Sequence, residues 1–418
     1  MIISFSGTTG SGKSAIIGEI KKSEIFRNKK VTVRREDDFA TIKLLKYVLG
    51  DNMFSKYKDE KFFKRKYNDI FYRLFSALSY IFYPIVVFIE FLIEFIRYEL
   101  IFKKTILIGD RYFYDYAVTF KNIVGIDNSF VRWLYNKTPR PYLSFLIDVD
   151  LPTAAVVRNK NNIPGKITTN KSFHKNTLAQ YRKIAKKHNI LVINNSGKLK
   201  DTVENINAHI RNKQKLLNAK KIAICGMDGA GKTTIANMLA KYANSLSIKC
   251  TVVHFYHVNL LFKLFRLIGF YKTDEPDDIM YRKRRERSVR ERLKTTPFIL
   301  AFLRFLDSYV QYLFSIFMNR GKLIIFDRYF YDYLVSFEYL NIRWRTFFSK
   351  LIPPVKYTFL FESTPMTSYI RKPESVKEFY TESHDIYLTF AQKQNIRIIK
   401  TDTKNPDEIL QELIENIS

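Results

Sequence analysis

The pattern of apolar and polar positions predicts short strands that alternate with helices. In the first half of the chain the predicted strands cover residues 2–6, 31–34, 105–109, 143–149 and 190–194. A long, largely apolar helical region separates the second strand from the third. Strands that alternate with helices are joined by crossover connections, so the pattern predicts a doubly wound parallel α/β sheet.

The second half of the chain repeats this order of elements. Its predicted strands cover residues 222–225, 251–255, 322–326, 356–361 and 396–400. The repetition predicts a tandem duplication, with one domain over residues 1–214 and a second over residues 215–418. A linker is expected near residues 212–219, where the last helix of the first copy gives way to the first strand of the second.

A glycine-rich segment follows the first strand of each half. Residues 7–14 are GTTGSGKS and residues 226–233 are GMDGAGKT, and both match G-x-x-x-x-G-K-[ST] between a strand and a helix. The backbone amides of such a loop direct positive charge at phosphate oxygens. The predicted nucleotide-binding residues are Gly7, Gly10, Ser11, Gly12, Lys13 and Ser14 in the first copy, and Gly226, Gly229, Ala230, Gly231, Lys232, Thr233 and Thr234 in the second.

A second motif, DRYFYDY, also occurs twice, at residues 110–116 and 327–333. Asp110 and Asp327 end predicted strands and therefore reach the sheet edge beside the loops. An acid at that edge suits Mg²⁺ held from the other side by a loop hydroxyl, and the adjacent arginines Arg111 and Arg328 can fork onto phosphate oxygens. The predicted metal ligands are Ser14, Asp110, Thr233 and Asp327.

These motifs resemble those of the thymidylate kinases and related nucleoside monophosphate kinases. Residues 146–158, LIDVDLPTAAVVR, also resemble the strand and proline-led helix that enter the lid of that family. The resemblance covers nearly all of each half, and the fold class it implies is two tandem P-loop NTPase domains, each a doubly wound parallel sheet flanked by helices.

The resemblance implies transfer of the γ-phosphoryl group of ATP to an acceptor phosphate, with Mg²⁺. It implies an acceptor contact at Asp228 and, at Arg304, an arginine that faces the acceptor phosphate. The implied catalytic residues are Lys13, Asp110, Arg111, Lys232, Asp327, Arg328 and the lid arginine Arg371.

Some positions depart from that family. Asp115 and Asp332 stand where the family has serine, and Thr9 stands where the second loop has Asp228. We assign Asp115 and Asp332 to the acceptor site, and the departures argue against thymidylate as acceptor. They also suggest that the two copies differ in substrate or that the first has lost turnover.

The ends of the second strands differ between the copies as well. In the first copy, Glu36 or Asp37 is either a base toward an acceptor hydroxyl, as in the related deoxynucleoside kinases, or part of a solvated acidic turn. In the second copy, His254 or His257 is either a functional group or an ordinary hydrogen-bonded histidine.

The composition bears on which partners and which cellular compartment we expect for the protein. The 418 residues carry a net charge of +30, which favours anionic partners in general, or reflects a lysine-rich solvated surface. The two cysteines, Cys225 and Cys250, fit neither a disulfide framework nor a zinc site, so we expect a reducing cytoplasm. The first strand begins at residue 2, and no secretory signal is therefore expected.

Two apolar, aromatic segments cover residues 74–102 and 298–318, and basic runs at residues 56–73 and 282–294 precede them. The segments are either core helices or surfaces that face lipid or a partner. Their proximity to the basic runs motivates the hypothesis of peripheral docking on an anionic membrane at its inner face. A nucleic-acid partner is not indicated, because no recognition module accompanies the charge.

The favoured function is an ATP- and Mg²⁺-dependent phosphotransferase that acts on a small, phosphorylated acceptor, with the second copy as the better-preserved unit. Three alternatives stay open: a kinase of a sugar or lipid-linked glycan acceptor, a nucleotide-gated switch with little turnover, and a peripheral membrane scaffold. No oligomeric state is predicted.

Overall fold

The computed structural model describes residues 1–35, 85–102, 105–115, 118, 129–150, 152, 171–255, 297–339, 345–373 and 376–417. The chain divides into two compact units, Met1–Arg211 with Ser245–Ser247 and Asn212–Asn244 with Ile248–Ser418. The residues Glu36, Asp37, His257 and Arg158 and the basic runs 56–73 and 282–294 lie outside the described part of the chain.

The first unit contains a parallel sheet in the order β2-β3-β1-β4-β5. All five residues of the central strand are buried, as expected for a parallel strand that is covered by helices on both faces. The strands are β1 (Ile2–Ser6), β2 (Lys30–Arg35), β3 (Thr105–Asp110), β4 (Leu143–Asp148) and β5 (Leu191–Asn194).

The second unit contains a parallel sheet of the same order, β7-β8-β6-β9-β10. The predicted α/β fold class is confirmed, because each sheet is parallel and its strands are joined through helices. The strands are β6 (Lys221–Gly226), β7 (Cys250–His254), β8 (Leu323–Asp327), β9 (Tyr357–Glu362) and β10 (Arg397–Lys400).

Helices connect the strands in both units. In the first half they are α1 (Lys13–Lys22), α2 (85–95, continued by a π-helix at Ile96–Ile101), α3 (Ser129–Lys137), α4 (Lys171–His188) and α5 (Leu199–Ala219). In the second half they are α6 (Lys232–Ser245), α7 (Pro297–Met318), α8 (Phe330–Tyr339), α9 (Arg345–Lys350), α10 (Pro365–Arg371), α11 (Lys377–Lys393) and α12 (Pro406–Glu415).

Residues 212–219, where the linker is expected, form the last turns of α5. The sequence there contains neither glycine nor proline, so nothing ends the helix early. Lys220 alone separates α5 from β6, and its φ of 55° gives the left-handed conformation that commonly follows a helix. The boundary between the two compact units falls inside α5.

The aromatic residues of DRYFYDY belong to the cores of the two units. Tyr329 and Phe330 are fully buried and pack with Phe255, Phe305 and Phe326. Tyr112 and Phe113 occupy the same places in the first unit and pack against Phe91. The hydrophobic part of the motif therefore fixes the position of the Asp-Arg pair that precedes it.

Candidate functional site

Each glycine-rich loop starts at the carboxyl end of the central strand and leads into a helix. Gly7 and Gly226 have φ values of 145° and 140°, which only glycine adopts readily. A Cβ atom at Gly7 would overlap the carbonyl oxygen of Ile147, and one at Gly226 would overlap that of Phe361. The loops therefore require glycine both for backbone conformation and for close approach to the neighbouring strand.

The loop lysines fold over the loops that carry them. Lys13 Nζ donates to the carbonyl oxygens of Gly7 (2.8 Å) and Thr8 (3.0 Å). Lys232 Nζ donates to those of Gly226 and Met227, both at 2.6 Å. Burial, reinforced by Arg111, lowers the pKa of Lys13 to about 8, and burial likewise lowers the pKa of Lys232. A phosphate bound in either loop would favour the charged form of the lysine and raise its pKa again.

A hydroxyl and a carboxylate pair at the predicted metal site of each unit. Ser14 Oγ donates to Asp110 Oδ2 at 3.1 Å, and Thr233 Oγ1 donates to Asp327 Oδ2 at 2.6 Å. Asp327 Oδ1 is buried and has no hydrogen-bond partner within the described residues. His254 Nδ1 also lies 2.9 Å from Asp327 Oδ2, because the sheet register places the end of β7 opposite the end of β8.

These groups fit Mg²⁺, which takes few protein ligands and retains water or substrate oxygens as the rest. One carboxylate and one hydroxyl per unit match that chemistry, and the unpartnered oxygen of Asp327 is a free acceptor. Within the described residues no cluster of three or more His, Cys, Asp or Glu side chains could hold a metal ion. The fit is therefore to an ion bound together with a phosphate, not to a metal held by protein alone.

The arginines of the two DRY segments share a strained backbone. Arg111 has a φ of 93° and Arg328 a φ of 75°, a left-handed conformation that is unfavourable for a residue with a long side chain. Each arginine still extends the sheet, because its backbone N–H donates to the central strand at 2.9 Å, Arg111 to Phe5 and Arg328 to Ile224. Strain at the same position in both units is typical of a functional site.

In the second unit, three cationic side chains surround the carboxylate of Asp228. The Arg328 guanidinium donates to its carboxylate, while Lys372 Nζ lies at 3.8 Å and Lys232 Nζ at 4.0 Å. Burial alone would raise the pKa of Asp228, but these three cations outweigh it, so the pKa lies below its ordinary value. Asp228 is therefore a carboxylate embedded among the cations of the site.

A cavity of about 690 Å³ opens over the second loop. The structure brings ten predicted site residues together on its wall, along with the candidate His254: Asp228, Gly229, Ala230, Gly231, Lys232, Thr233, Thr234, Asp327, Arg328 and Arg371. Lys372 and Lys404 line it as well, and Lys404 is paired with Glu412 at 2.7 Å. Neither lysine was predicted from the sequence, where the only signal was a position next to Arg371 for Lys372 and after the last strand for Lys404.

The predicted acceptor residues Asp115 and Asp332 have another environment. Both are buried, 1% and 2% exposed, and both accept hydrogen bonds from their own unit. Asp332 accepts from the Gly226 and Tyr329 amides and from the Tyr387 hydroxyl. Each carboxylate is buried and accepts a hydrogen bond from the first residue of its loop. Arg304 lies within α7, and its side chain is outside the described part.

Comparison with known proteins points to one family. No family model matches the chain. A probable thymidylate kinase of Sulfurisphaera tokodaii is 25% identical over 207 residues, which make up 48% of this chain and 91% of the relative. A probable thymidylate kinase of Methanocaldococcus jannaschii is 29% identical over 104 residues, or 25% of this chain and 52% of the relative.

A solved thymidylate kinase from Ehrlichia chaffeensis aligns with 20% identity and a TM-score of 0.34, covering 50% of this chain and 98% of that one. The probable thymidylate kinase of Sulfolobus acidocaldarius is 30% identical over 213 residues, which cover 48% of this chain and 91% of the relative. The chain therefore belongs to the thymidylate kinase family, on the strength of a match over about half its length.

Proposed function

We propose that this chain is an ATP- and Mg²⁺-dependent phosphotransferase that arose by tandem duplication of a thymidylate kinase-like domain, and that its second unit is the active one. The observation that carries this is one cavity wall that presents the loop lysine Lys232, the Thr233–Asp327 pair and the Arg328–Asp228 pair together. The first unit keeps the loop and the Ser14–Asp110 pair but has Thr9 in place of Asp228.

In the proposed reaction an acceptor oxygen forms a bond to the γ-phosphorus as the bond to the β,γ-bridging oxygen breaks, and ADP leaves. The loop amides and Lys232 hold the donor phosphates, while Arg328 and Arg371 neutralise charge on the transferring group. Mg²⁺ would be held by Thr233 and Asp327 and would offset charge on the β- and γ-oxygens when bound. Positioning and electrostatics supply most of the rate, since the protein forms no covalent bond.

The charge of the cavity favours an anionic acceptor. Of the side chains on its wall, Lys232, Arg328, Arg371, Lys372 and Lys404 are cations, and Asp228 and Asp327 are carboxylates. Beside the phosphates of ATP, the phosphate of such an acceptor would be a second anion attracted by the excess of cations on the wall. Asp228 would accept a hydrogen bond from a neutral hydroxyl of that acceptor. We propose a role beneath the loop for Asp115 and Asp332, not the acceptor contact that the sequence suggested.

The test is ADP formation by the full-length protein against nucleoside monophosphates, nucleosides, sugar phosphates and sugars, with Mg²⁺ and with EDTA. We expect Mg²⁺-dependent turnover with a phosphorylated acceptor, retained by Lys13→Ala and lost in Lys232→Ala. Turnover only with an unphosphorylated sugar would instead support the sugar-kinase alternative. ATP binding without turnover would favour a nucleotide switch, and no Mg²⁺-dependent ATP binding would contradict the proposal.

One observation favours a second role, docking on an anionic membrane surface. On α7 the side chains of Phe302, Leu306, Val310, Leu313 and Phe317 are exposed, and their spacing of three or four residues places them on one helix face. In the first unit Ile89, Leu92, Ile93 and Ile96 are also exposed. None of the described helices is long and apolar enough to cross a membrane, so the proposed contact is peripheral.

Flotation with liposomes of neutral or anionic lipid tests the docking role. We expect recovery with anionic vesicles only, and loss of that recovery in Leu313→Glu/Phe317→Glu. Equal recovery from both vesicle types, or recovery unchanged by the double substitution, would contradict it.

A further inference from the structure

A buried aspartate, Asp332, connects the phosphate loop of the second unit to the helix α11. Asp332 Oδ1 accepts from the Gly226 amide at 3.3 Å and from the Tyr387 hydroxyl at 2.6 Å, and Asp332 Oδ2 accepts from the Tyr329 amide at 2.8 Å. Gly226 begins the loop, and Tyr387 belongs to α11. A single carboxylate therefore joins the donor loop, the DRY segment and α11.

The first unit contains the same arrangement, built from the same heptapeptide. Asp115 accepts from the Gly7 amide at 3.3 Å, from the Tyr112 amide at 2.9 Å and from the Tyr181 hydroxyl at 2.8 Å. An isolated buried carboxylate is costly, and it persists only when hydrogen bonds satisfy it. Its presence at both sites indicates that the bonds it receives matter to the loop.

The tyrosine in this pair acts as a donor. Burial raises the pKa of the Tyr387 hydroxyl well above its usual value, with the nearby Asp332 charge adding to the effect. The phenol therefore remains protonated throughout the ordinary pH range and donates to the carboxylate. Such a bond to a charged acceptor is stronger than one between neutral groups.

The helix α11 carries a second buried tyrosine, which bonds to the segment that follows α10. Tyr380 is two turns before Tyr387 and thus on the same helix face, and its hydroxyl donates to the carbonyl oxygen of Lys372. Lys372 follows α10, which carries Arg371, and the Lys372 amine lies 3.8 Å from Asp228. One face of α11 is thus bonded to the start of the donor loop and to the segment that bears the cavity cations.

We propose that Asp332 and Tyr387 are positioning residues that hold α11 at a fixed place against the phosphate loop, so that Arg371 and Lys372 face the transferring phosphoryl group. The inference rests on the proposed phosphotransfer by the second unit. It assigns a role to the two aspartates that distinguish DRYFYDY from the serine-containing pattern of the family. The pair touches no substrate and acts through the loop amide and the two cations.

The test uses the full-length protein in a Lys13→Ala background, which silences the first loop, with ATP affinity measured by calorimetry and turnover measured separately. Tyr387→Phe removes one hydroxyl and keeps the ring. We expect its kcat to fall about tenfold, the effect of losing a bond to a buried charge. We expect its ATP Kd to change little, since Asp332 still holds the loop amide. Tyr242→Phe, which removes a hydroxyl bonded to Asn212, is the control and should leave kcat unchanged.

Asp332→Asn extends the test to the loop. The new amide NH₂ would face donors, so both ATP affinity and kcat should fall about tenfold, and adding Tyr387→Phe should then cost little more because the pair acts as one. A lowered melting temperature with unchanged kcat in Tyr387→Phe, or additive losses in the double variant, would show a purely structural role and overturn the inference. If the Lys13→Ala parent itself binds no ATP with Mg²⁺, the proposed function fails instead.

Discussion

The two candidate sites share the residues proposed to bind the donor and differ at the positions proposed to face the acceptor. In both units a lysine bonds to loop carbonyl oxygens, a hydroxyl bonds to the strand-ending aspartate, and the next residue is an arginine with positive φ. Around this common core the second unit has Asp228 and His254 where the first has Thr9 and Arg35. A triphosphate needs the same binding groups whichever acceptor is phosphorylated, whereas each acceptor needs contacts of its own.

The difference teaches where change is tolerated. Loop conformation and lysine placement depend on backbone geometry and burial, so almost any substitution there disturbs the whole unit. The positions proposed to face the acceptor do not determine the backbone conformation, so each of these side chains can be substituted without refolding the unit. The comparison therefore predicts that donor-side changes are equally damaging in both units, and that acceptor-side changes move only the unit that carries them.

The largest expected effect tests whether the donor sides are equivalent. Gly226→Ala and Gly7→Ala each force a Cβ against a backbone carbonyl oxygen at a positive φ. Each should lower the free energy of unfolding of its unit by about 3 kcal/mol and abolish nucleotide binding there. Gly18→Ala in α1 is the control, since a Cβ there meets no atom within 4 Å and the residue does not have a left-handed φ. Thermal unfolding and ATP titration measure both quantities, and a tolerated Gly7→Ala beside a damaging Gly226→Ala would break the comparison.

The second prediction replaces Asp228 of the second loop with threonine, the residue found at the equivalent position of the first loop. Asp228→Thr should lower kcat/KM for the acceptor about tenfold to a hundredfold, because it removes a charged hydrogen-bond acceptor from a partly buried site. ATP affinity should stay equal or rise, since Arg328, Lys232 and Lys372 lose a neutralising partner. Steady-state kinetics with the acceptor and ATP varied separately provide the measurement. A loss confined to ATP affinity would place Asp228 on the donor side.

The third prediction concerns pH and the first loop. Lys13 has a pKa of about 8, so it is charged below that pH and largely neutral a unit or more above it. Only the charged amine attracts phosphate, so ATP affinity at this loop should fall by up to about tenfold per pH unit above 8, with proton uptake on binding. Calorimetry of the Lys232→Ala protein in buffers of different ionisation enthalpy detects that proton. Affinity that stays flat from pH 7 to about pH 9 would contradict the prediction.

The smallest expected effect concerns the residue at the end of the second strand, which is His254 in the second unit and Arg35 in the first. His254→Arg places a permanent cation beside Asp327 and should raise the Mg²⁺ concentration needed for half-maximal ATP binding about threefold to tenfold. His254→Gln, which keeps a hydrogen-bonding group without that charge, is the matched control and should change it less. The measurement is a Mg²⁺ titration of ATP binding in the Lys13→Ala background. Equal shifts in both variants would show that charge at this position is unimportant.

The sequence predicted the loop residues because they stand close together in the chain, and it predicted the distant Asp110 and Asp327 because each ends a predicted strand and begins a repeated motif. Loop lysine, hydroxyl and glycines belong to one strand–loop–helix unit, and the strands around them were confirmed. The contact between Tyr387 and Asp332 joins residues 55 apart, and that between His254 and Asp327 joins residues 73 apart. Such pairs depend on helix packing and sheet register, which no local pattern encodes.

The backbone conformation of Arg111 and Arg328 has a consequence for engineering. Design aimed at heat tolerance would replace these residues with glycine or asparagine, which accept that conformation at little cost. A protein altered at position 328 in this way would melt later, yet it would lose the guanidinium that holds Asp228. At these two positions, melting temperature is a misleading guide to a better catalyst.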